Sequence, residues 1–147
     1  MTTRSILTAL ATFLVSGASG AAAETLTVWS AAEGDSFLAA GRTDGIGDLI
    51  LWHSDLEGED GTAIGRNAGT CTRIDAEGSH FCSIVIYHDG AGALSFQGVQ
   101  LPEPAPSRYV IIGGTGSYAG ATGELEATPV ENRARFRYDI TFETPAP

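Results

Sequence analysis

One stretch of this 147-residue chain decides its fold: Tyr109-Val-Ile-Ile-Gly-Gly-Thr-Gly-Ser-Tyr-Ala-Gly-Ala-Thr-Gly123. An apolar, strand-like run leads directly into a glycine-rich turn, and a second strand-like run, Glu124-Leu-Glu-Ala-Thr128, follows it. Two interpretations compete: a nucleotide-binding loop, and a tight corner in an all-β barrel. The choice between them determines which functions are open to the chain.

The nucleotide-binding interpretation depends on the pattern Gly114-x-Gly116-x-x-Ala119. In dinucleotide-binding folds, such glycines let the backbone approach a pyrophosphate at the N-terminus of the helix that follows. Here Gly120 and Pro129 follow instead, with no apolar residues at helical spacing between them, and the chain contains no lysine for a Walker-type loop. The sequence therefore favours a corner in which glycines adopt positive φ, and it predicts no cofactor.

The first 23 residues have the features of a signal peptide. Arg4 precedes the apolar run 6–15, and small residues lead to Ala21-Ala-Ala23. These are a basic region, an apolar region and a cleavage site, and the apolar run is too short to cross a bilayer. We predict cleavage after Ala23, export to the periplasm or the extracellular medium, and one domain over residues 24–147.

The charge of the chain argues against two classes of partner. Eight basic and 18 acidic residues give a formal net charge of −10, and the predicted cleavage also removes Arg4. Nucleic-acid binding depends on neutralising phosphates with Lys and Arg, so nucleic acid is not expected as a partner. Anionic membrane surfaces are not expected either, so we predict no membrane association once the signal peptide has been removed.

The two cysteines, Cys71 and Cys82, are predicted to form a disulfide, since disulfides persist in the compartments that exported proteins reach. If Asp75-Ala-Glu-Gly78 is the tip of a β-hairpin, Cys71 lies directly opposite Cys82, where two Cβ atoms are close enough to bridge. A bulged turn at Gly78 would shift the register by one residue and make the contact diagonal. A metal site would need further ligands, so no metal is predicted.

The remaining sequence consists of short strand-like runs separated by turns. In the last run, polar residues alternate with apolar ones: Arg133, Arg135, Arg137, Asp139 and Thr141 against Ala134, Phe136, Tyr138, Ile140 and Phe142. This pattern is typical of a strand with one wet and one buried face. Roughly eight such runs predict an all-β sandwich or barrel. Only residues 35–40 could form a helical turn, and Gly98 could mark a bend or bulge.

Four segments together resemble the allene oxide cyclase and dirigent barrel superfamily: Gly47-Asp-Leu-Ile50, Ile64-Gly-Arg-Asn-Ala-Gly-Thr-Cys71, Ser95-Phe-Gln-Gly98 and Ile112-Gly-Gly-Thr-Gly-Ser-Tyr-Ala-Gly120. The resemblance covers residues 47–142 and extends to small exported bacterial members that carry the same cysteine pair on the middle hairpin. It implies an eight-stranded antiparallel, lipocalin-like β-barrel. By similarity to the plant members it also implies a homo-trimer.

The family's functional residues match this chain only in part. Plant allene oxide cyclases bring a glutamate and an asparagine to the pocket from the first strand, whereas Thr27-Val-Trp-Ser-Ala-Ala32 has neither. The acidic pair that dirigent proteins carry on the second strand is replaced by His53-Ser54, and their arginine after the glycine corner by about Thr122. Gly65-Arg66 does match. The resemblance therefore implies a barrel with a pocket and leaves open whether the protein is an enzyme.

Six residues are candidates for lining such a pocket: Arg66, His53, Trp29, Tyr87, Phe96 and Tyr118. Arg66 could bind a carboxylate or phenolate bidentately, or pair with a nearby carboxylate such as Asp55. His53 could act as a general acid or base, or be an exposed residue at a strand end. The aromatic residues could line a hydrophobic cavity or simply fill the barrel.

Three functions are consistent with these features. The first is an exported barrel that binds a small hydrophobic molecule. The second is a cyclase, an isomerase or a dirigent-type protein, which would hold a reactive substrate in one conformation. The third is a structural or inhibitory surface protein whose barrel is filled. An apolar cavity favours the first, a charged group facing a cavity favours the second, and the lack of a cavity favours the third.

Overall fold

The computed structural model describes residues 22–31, 33–130 and 135–145. The strands in this part of the chain are β1 Glu24–Ala31, β2 Glu33–Leu38, β3 Leu49–Glu57, β4 Ala63–Arg73, β5 His80–His88, β6 Gly92–Gln100, β7 Ser107–Gly114, β8 Thr122–Val130 and β9 Arg135–Glu143. A 3-10 turn spans Gly116–Tyr118. The predicted signal peptide lies outside the described residues except for its last two. No helix in the described ranges is long and apolar enough to cross a membrane.

The strands form one antiparallel sheet that closes on itself. Neighbours follow chain order from β2 to β9, and β9 then pairs with β1 along its whole length, from Glu24 opposite Phe142 to Ala31 opposite Arg135. β1 also pairs with the end of β3, where Ser30 lies opposite Leu56. β1 and β3–β9 thus form a closed eight-stranded antiparallel barrel, which confirms the predicted fold. β2 extends the pairing along the remaining edge of β3.

The possible helical turn at residues 35–40 is instead part of a strand, because β2 continues to Leu38. Ser36 and Leu38 lie opposite Leu51 and Leu49 of β3. Without β2, this edge of β3 would have no ladder partner for its backbone N–H and C=O groups. Pairing with a distant strand therefore overrides the weak local preference for a turn.

Side chains alternate between the interior and the exterior along each barrel strand. In β9, Tyr138, Ile140 and Phe142 are buried, and Arg137 and Thr141 are exposed. The predicted alternation is confirmed over residues 135–142, and its first two positions, 133 and 134, lie outside the described residues. The most deeply buried apolar side chains form the centre of the core: Phe96, Leu56, Ile86, Leu94, Leu125, Ile140 and Val28.

The hairpin of β4 and β5 carries the predicted disulfide in the predicted register. Cys71 lies directly opposite Cys82, and the two residues are bonded to each other. The turn does not shift the register, since Arg73 lies opposite His80 and the Ile74 N–H donates to the Ser79 carbonyl at 2.9 Å. Asp75 Oδ1 accepts hydrogen bonds from the backbone N–H groups of Gly78 and Ser79, both at 2.8 Å. A side chain that accepts from the backbone two or three residues later is a common way to stabilise a tight turn.

The glycine-rich stretch forms the predicted corner between β7 and β8. Gly116 and Gly120 have φ values of 62° and 73°, which glycine adopts without steric strain. Between them Tyr118 is buried: its hydroxyl lies 2.5 Å from His88 Nδ1, and its ring packs edge-on against Phe142. A strand follows the corner, so it lacks the helix N-terminus that binds phosphate in dinucleotide-binding folds.

Candidate functional site

The barrel interior contains a cavity at the end opposite the glycine corner. The cavity has a volume of about 120 Å³, is partly enclosed, and lies where β6 ends and β3, β7 and β9 begin. All eight barrel strands contribute to its lining: Ser30, Ile50, Trp52, Cys71, Ile84, Gln100, Tyr109, Ala127, Phe136 and Tyr138. Towards the glycine corner, the buried side chains of Leu56, Phe96 and Leu125 fill the barrel and give the cavity a floor.

Four buried polar side chains form a hydrogen-bonded cluster beside the cavity, which we call the Asn67 cluster. Asn67 Nδ2 donates to Ser30 Oγ at 3.1 Å and to Tyr138 Oη at 3.2 Å, and Asn67 Oδ1 accepts from the Ser54 hydroxyl. The Ser30 and Ser54 hydroxyls are 2.7 Å apart. Buried polar groups are tolerated when they are paired, so the cluster ties β1, β3, β4 and β9 together. It reaches the cavity through Ser30 and Tyr138.

The two tyrosines of the lining are held in their neutral form. Burial raises the pKa of Tyr138 to about 12, against the opposing influence of Ser30 and Asn67. Burial also raises the pKa of Tyr109, with a further contribution from the neighbouring Tyr138. Moving a phenolate out of water is costly. At neutral pH both side chains are therefore hydroxyl groups that can donate or accept a hydrogen bond.

The raised pKa of Tyr138 predicts a loss of stability at alkaline pH. Between pH 10 and pH 12 the phenol loses its proton in the unfolded chain but keeps it in the folded barrel, so the unfolded state binds fewer protons and stability falls as pH rises. We expect the free energy of unfolding to drop by about 2 kcal/mol over this interval. Urea unfolding measured at several pH values checks this. A flat profile, or an equal slope in Tyr138→Phe, would contradict the assignment to Tyr138.

Two glycines make room for the aromatic walls of the cavity. A Cβ at Gly69 would overlap the indole ring of Trp52, which lies directly opposite on β3. A Cβ at Gly98 would come within 2.9 Å of the Tyr109 ring. Gly98 is therefore needed for side-chain packing and does not mark the predicted bend or bulge. It pairs in regular register with Cys82, and the register shift in β6 lies between Ser95 and Phe96.

The disulfide and Gln100 form one side of the cavity entrance. Gln100 is the last residue of β6, and its Oε1 atom lies 3.6 Å from the sulfur atoms of both Cys71 and Cys82. Ile50 and Phe136, each the second residue of its strand, line the same end of the cavity. The entrance is thus mainly apolar, with one neutral amide.

The structure places none of the six predicted pocket residues in the cavity lining. Arg66, His53 and Tyr87 lie on the exposed outer face of the barrel, where the Arg66 guanidinium stands 5.4 Å from the centre of the Tyr87 ring. The reason is the alternation of each strand. On β4, Asn67 and Cys71 point inward, so the even-numbered Arg66 points outward.

The other three predicted residues also lie away from the cavity. Trp29 is on the outer face of β1, 5.4 Å from the Arg135 guanidinium, and Arg135 also pairs with Glu57 across the closure of the barrel. Phe96 and Tyr118 point inward, but Phe96 packs below the cavity and Tyr118 closes the opposite end.

Sequence reasoning missed the residues that line the cavity and form the Asn67 cluster. In β4 the sequence did contain a signal. The polar residues Arg66, Thr70 and Thr72 share one face of the strand, which identifies that face as solvent-exposed. Asn67 therefore lies on the opposite, buried face. An amide on a buried face needs partners, and hence a polar cluster. Ser30 and Ser54 carry no comparable signal, because a lone serine in a strand is ordinary on either face.

The cavity is electrically neutral. Among the described residues, no Asp, Glu, Lys or Arg lines it, and no group of His, Cys, Asp and Glu side chains in these ranges is arranged to hold a metal ion. The polar groups that reach it are hydroxyls and the Gln100 amide. Such a lining can accommodate an uncharged molecule and orient it by hydrogen bonds.

Fold and cavity together define a small antiparallel barrel with an internal cavity at one end. The chain belongs to the allene oxide cyclase barrel-like family, since the model of the allene oxide cyclase barrel like domain matches residues 26–142. The resemblance seen in the sequence is thereby confirmed. No functionally curated protein matches the sequence.

Several solved structures share the fold. A pyocyanin demethylase is 24% identical, with a TM-score of 0.72 over 81% of this chain and 99% of its own. A pterocarpan synthase dirigent protein is 17% identical, with a TM-score of 0.70 over 94% of this chain and 98% of its own. A Diels-Alderase from Streptomyces koyangensis is 18% identical, with a TM-score of 0.70 over 88% of this chain and 71% of its own. At these identities the likeness establishes the fold.

Proposed function

We propose that this protein is an exported barrel that binds a small, uncharged and largely apolar molecule in its cavity. The observation that carries the proposal is the neutral cavity, which has aromatic and aliphatic walls and two tyrosine hydroxyls. An engineered cavity of about 150 Å³ in another protein binds benzene. A volume of about 120 Å³ therefore suits a molecule, or part of one, the size of a single aromatic ring.

Export is supported by two features of the chain. The first 23 residues have the pattern of a signal peptide, and the first described strand begins at the next residue, Glu24. The Cys71–Cys82 disulfide suits an oxidising compartment.

Trp52 offers a direct test of binding, because it lines the cavity and the chain has one other tryptophan, Trp29. In the Trp29→Phe background, we expect ethylbenzene and acetophenone to change Trp52 fluorescence in a saturable manner. Ala127→Leu adds three carbons to the lining and is expected to weaken binding about tenfold or more, which corresponds to roughly 1.4 kcal/mol. Ala68→Leu, on the outer face of β4, is the matched control and should bind as the parent does.

Each outcome of this test is informative. Saturable binding that Ala127→Leu abolishes, and Ala68→Leu does not, supports a ligand site inside the barrel. Binding that both variants leave unchanged would place the ligand elsewhere on the protein. No binding of any one-ring compound would overturn the proposal and favour a barrel that acts through its surface.

A second candidate function is the steering of a reactive substrate, as in a cyclase, an isomerase or a dirigent protein. The observation that favours it is the fold, which is shared with a demethylase, a dirigent protein and a Diels-Alderase. Such a barrel would act by holding the substrate in one reactive conformation. Native mass spectrometry of protein isolated from its source would identify a bound molecule. Recovery of that molecule in chemically altered form after incubation would favour the enzyme.

A homo-trimer stays a prediction. What supports self-association is the outer face of β5, β6 and β7, where Phe81, Val99, Val110 and Ile112 are exposed and adjacent strands bring them together. Arg108 is exposed on the same face of β7, where it pairs with Glu124 and Glu126 of β8. In a chain with a net charge of −10, a largely apolar face whose arginine is paired is where two copies can approach with little repulsion.

A further inference from the structure

The hydrogen bonds of the Asn67 cluster run in a defined direction. Asn67 Oδ1 can only accept a hydrogen bond, so the Ser54 hydroxyl donates its single hydrogen to this atom. The bond between the two serines must then be donated by Ser30. Asn67 Nδ2 uses both of its protons, one towards Ser30 Oγ and one towards Tyr138 Oη.

This direction leaves one donor of the cluster unused. The four side chains carry five polar hydrogens, one on each hydroxyl and two on the amide, and the four bonds use four of them. The remaining one belongs to Tyr138, whose hydroxyl accepts from Asn67 and also lies beside the Ser30 hydroxyl. Ser30 already donates to Ser54 and accepts from Asn67, and both Ser30 and Tyr138 line the cavity, so the Tyr138 O–H group can turn towards an acceptor on a molecule inside it.

From this we infer that the ligand presents a neutral hydrogen-bond acceptor, such as a carbonyl or ether oxygen, to the Tyr138 hydroxyl. The inference builds on the proposed function, because it assumes that a small molecule occupies the cavity. It adds the ligand's chemical class: an apolar body with one acceptor oxygen placed against the wall formed by β9.

The surroundings of Tyr138 exclude the obvious competing class, an anion. No basic side chain lines the cavity in the described ranges, and Arg66 lies on the outer face. A buried carboxylate would lose its hydration without a cationic partner, which is strongly unfavourable. A hydrocarbon would fit the walls but would offer the Tyr138 hydroxyl no acceptor inside the cavity.

The test compares three probes of nearly equal shape on the intact protein: acetophenone, ethylbenzene and benzoate. Dissociation constants are measured by calorimetry for the parent protein, for Tyr138→Phe, and for Tyr87→Phe as a matched deletion on the outer face. We expect Tyr138→Phe to weaken acetophenone binding about tenfold relative to its effect on ethylbenzene, as for one lost hydrogen bond. Tyr87→Phe should change neither constant, and benzoate should not bind.

The outcomes separate this inference from the proposed function. If neither neutral probe binds the parent protein, the proposed function fails. If both bind and Tyr138→Phe affects them equally, the cavity is real but Tyr138 does not donate to the ligand. Unchanged ethylbenzene binding by Tyr138→Phe shows that the variant has kept its cavity, and tight benzoate binding would overturn the ligand class.

Discussion

Replacing Asn67 with alanine is expected to lower the free energy of unfolding by about 3 kcal/mol. Asn67 makes three of the four hydrogen bonds of its cluster, and it is buried within the barrel. Its removal deprives Ser54 of an acceptor, deprives Tyr138 of a donor, and leaves a void at the centre of the cluster. Urea denaturation followed by far-UV circular dichroism measures the loss.

The matched control is Gln97→Ala, which removes an amide from the outside of the barrel. Gln97 Nε2 donates to Ser83 Oγ at 3.1 Å on the outer face, where water can replace the lost partner. We expect this variant to lose well under about 1 kcal/mol. Equal losses in the two variants would mean that the inward amide contributes nothing beyond a surface hydrogen bond.

Removal of the disulfide is expected to have an effect of similar size. In Cys71→Ala/Cys82→Ala the unfolded chain regains the freedom of a loop whose ends are 11 residues apart, which corresponds to about 3 kcal/mol. Both residues are also fully buried, so the barrel loses packing at the cavity entrance. The free energy of unfolding should fall. Its slope against urea concentration should become steeper, because the unfolded state without the disulfide is more expanded and exposes more surface.

Reduction of the parent protein provides the control for the cysteine double variant. A reductant should shift the parent protein's urea midpoint to that of the variant and should leave the variant's own midpoint unchanged. If the oxidised and reduced parent proteins unfold at the same urea concentration, the disulfide contributes nothing to stability. A reductant that shifts the variant would indicate an effect unrelated to the Cys71–Cys82 bond.

Much of the fold could be predicted because each prediction depended on a local rule. Strict alternation identified β9, and clustered glycines identified the corner at Gly116 and Gly120. The disulfide register followed from the turn at residues 75–78. β2 was not predicted because its extended conformation depends on pairing with β3. The sequence of residues 35–40 contains no pattern that indicates this pairing.

The cavity could not be predicted in the same way. Aromatic content shows how much large side-chain volume is present, but not which face of a strand carries it. Neighbouring residues of a strand point to opposite faces, so an error of one residue exchanges the interior for solvent. Arg66 and Asn67 are such neighbours: Arg66 points to solvent and Asn67 into the barrel. The position of the cavity also depends on glycines that leave room for a neighbouring ring, as Gly69 does for Trp52. Such a glycine can be recognised only when the residue opposite it is known.

The pairing of β1 with β9 makes the two ends of the domain interdependent. Leu26 lies opposite Ile140, so the ring stays open until the last strand has been synthesised and has found the first. Contacts between such distant residues form slowly, so closure of the ring is expected to be a late step in folding. The same arrangement limits engineering. Deleting either terminal strand would leave two unpaired edges able to recruit other chains, whereas the hairpin tip at residues 75–78 can be altered without opening the ring.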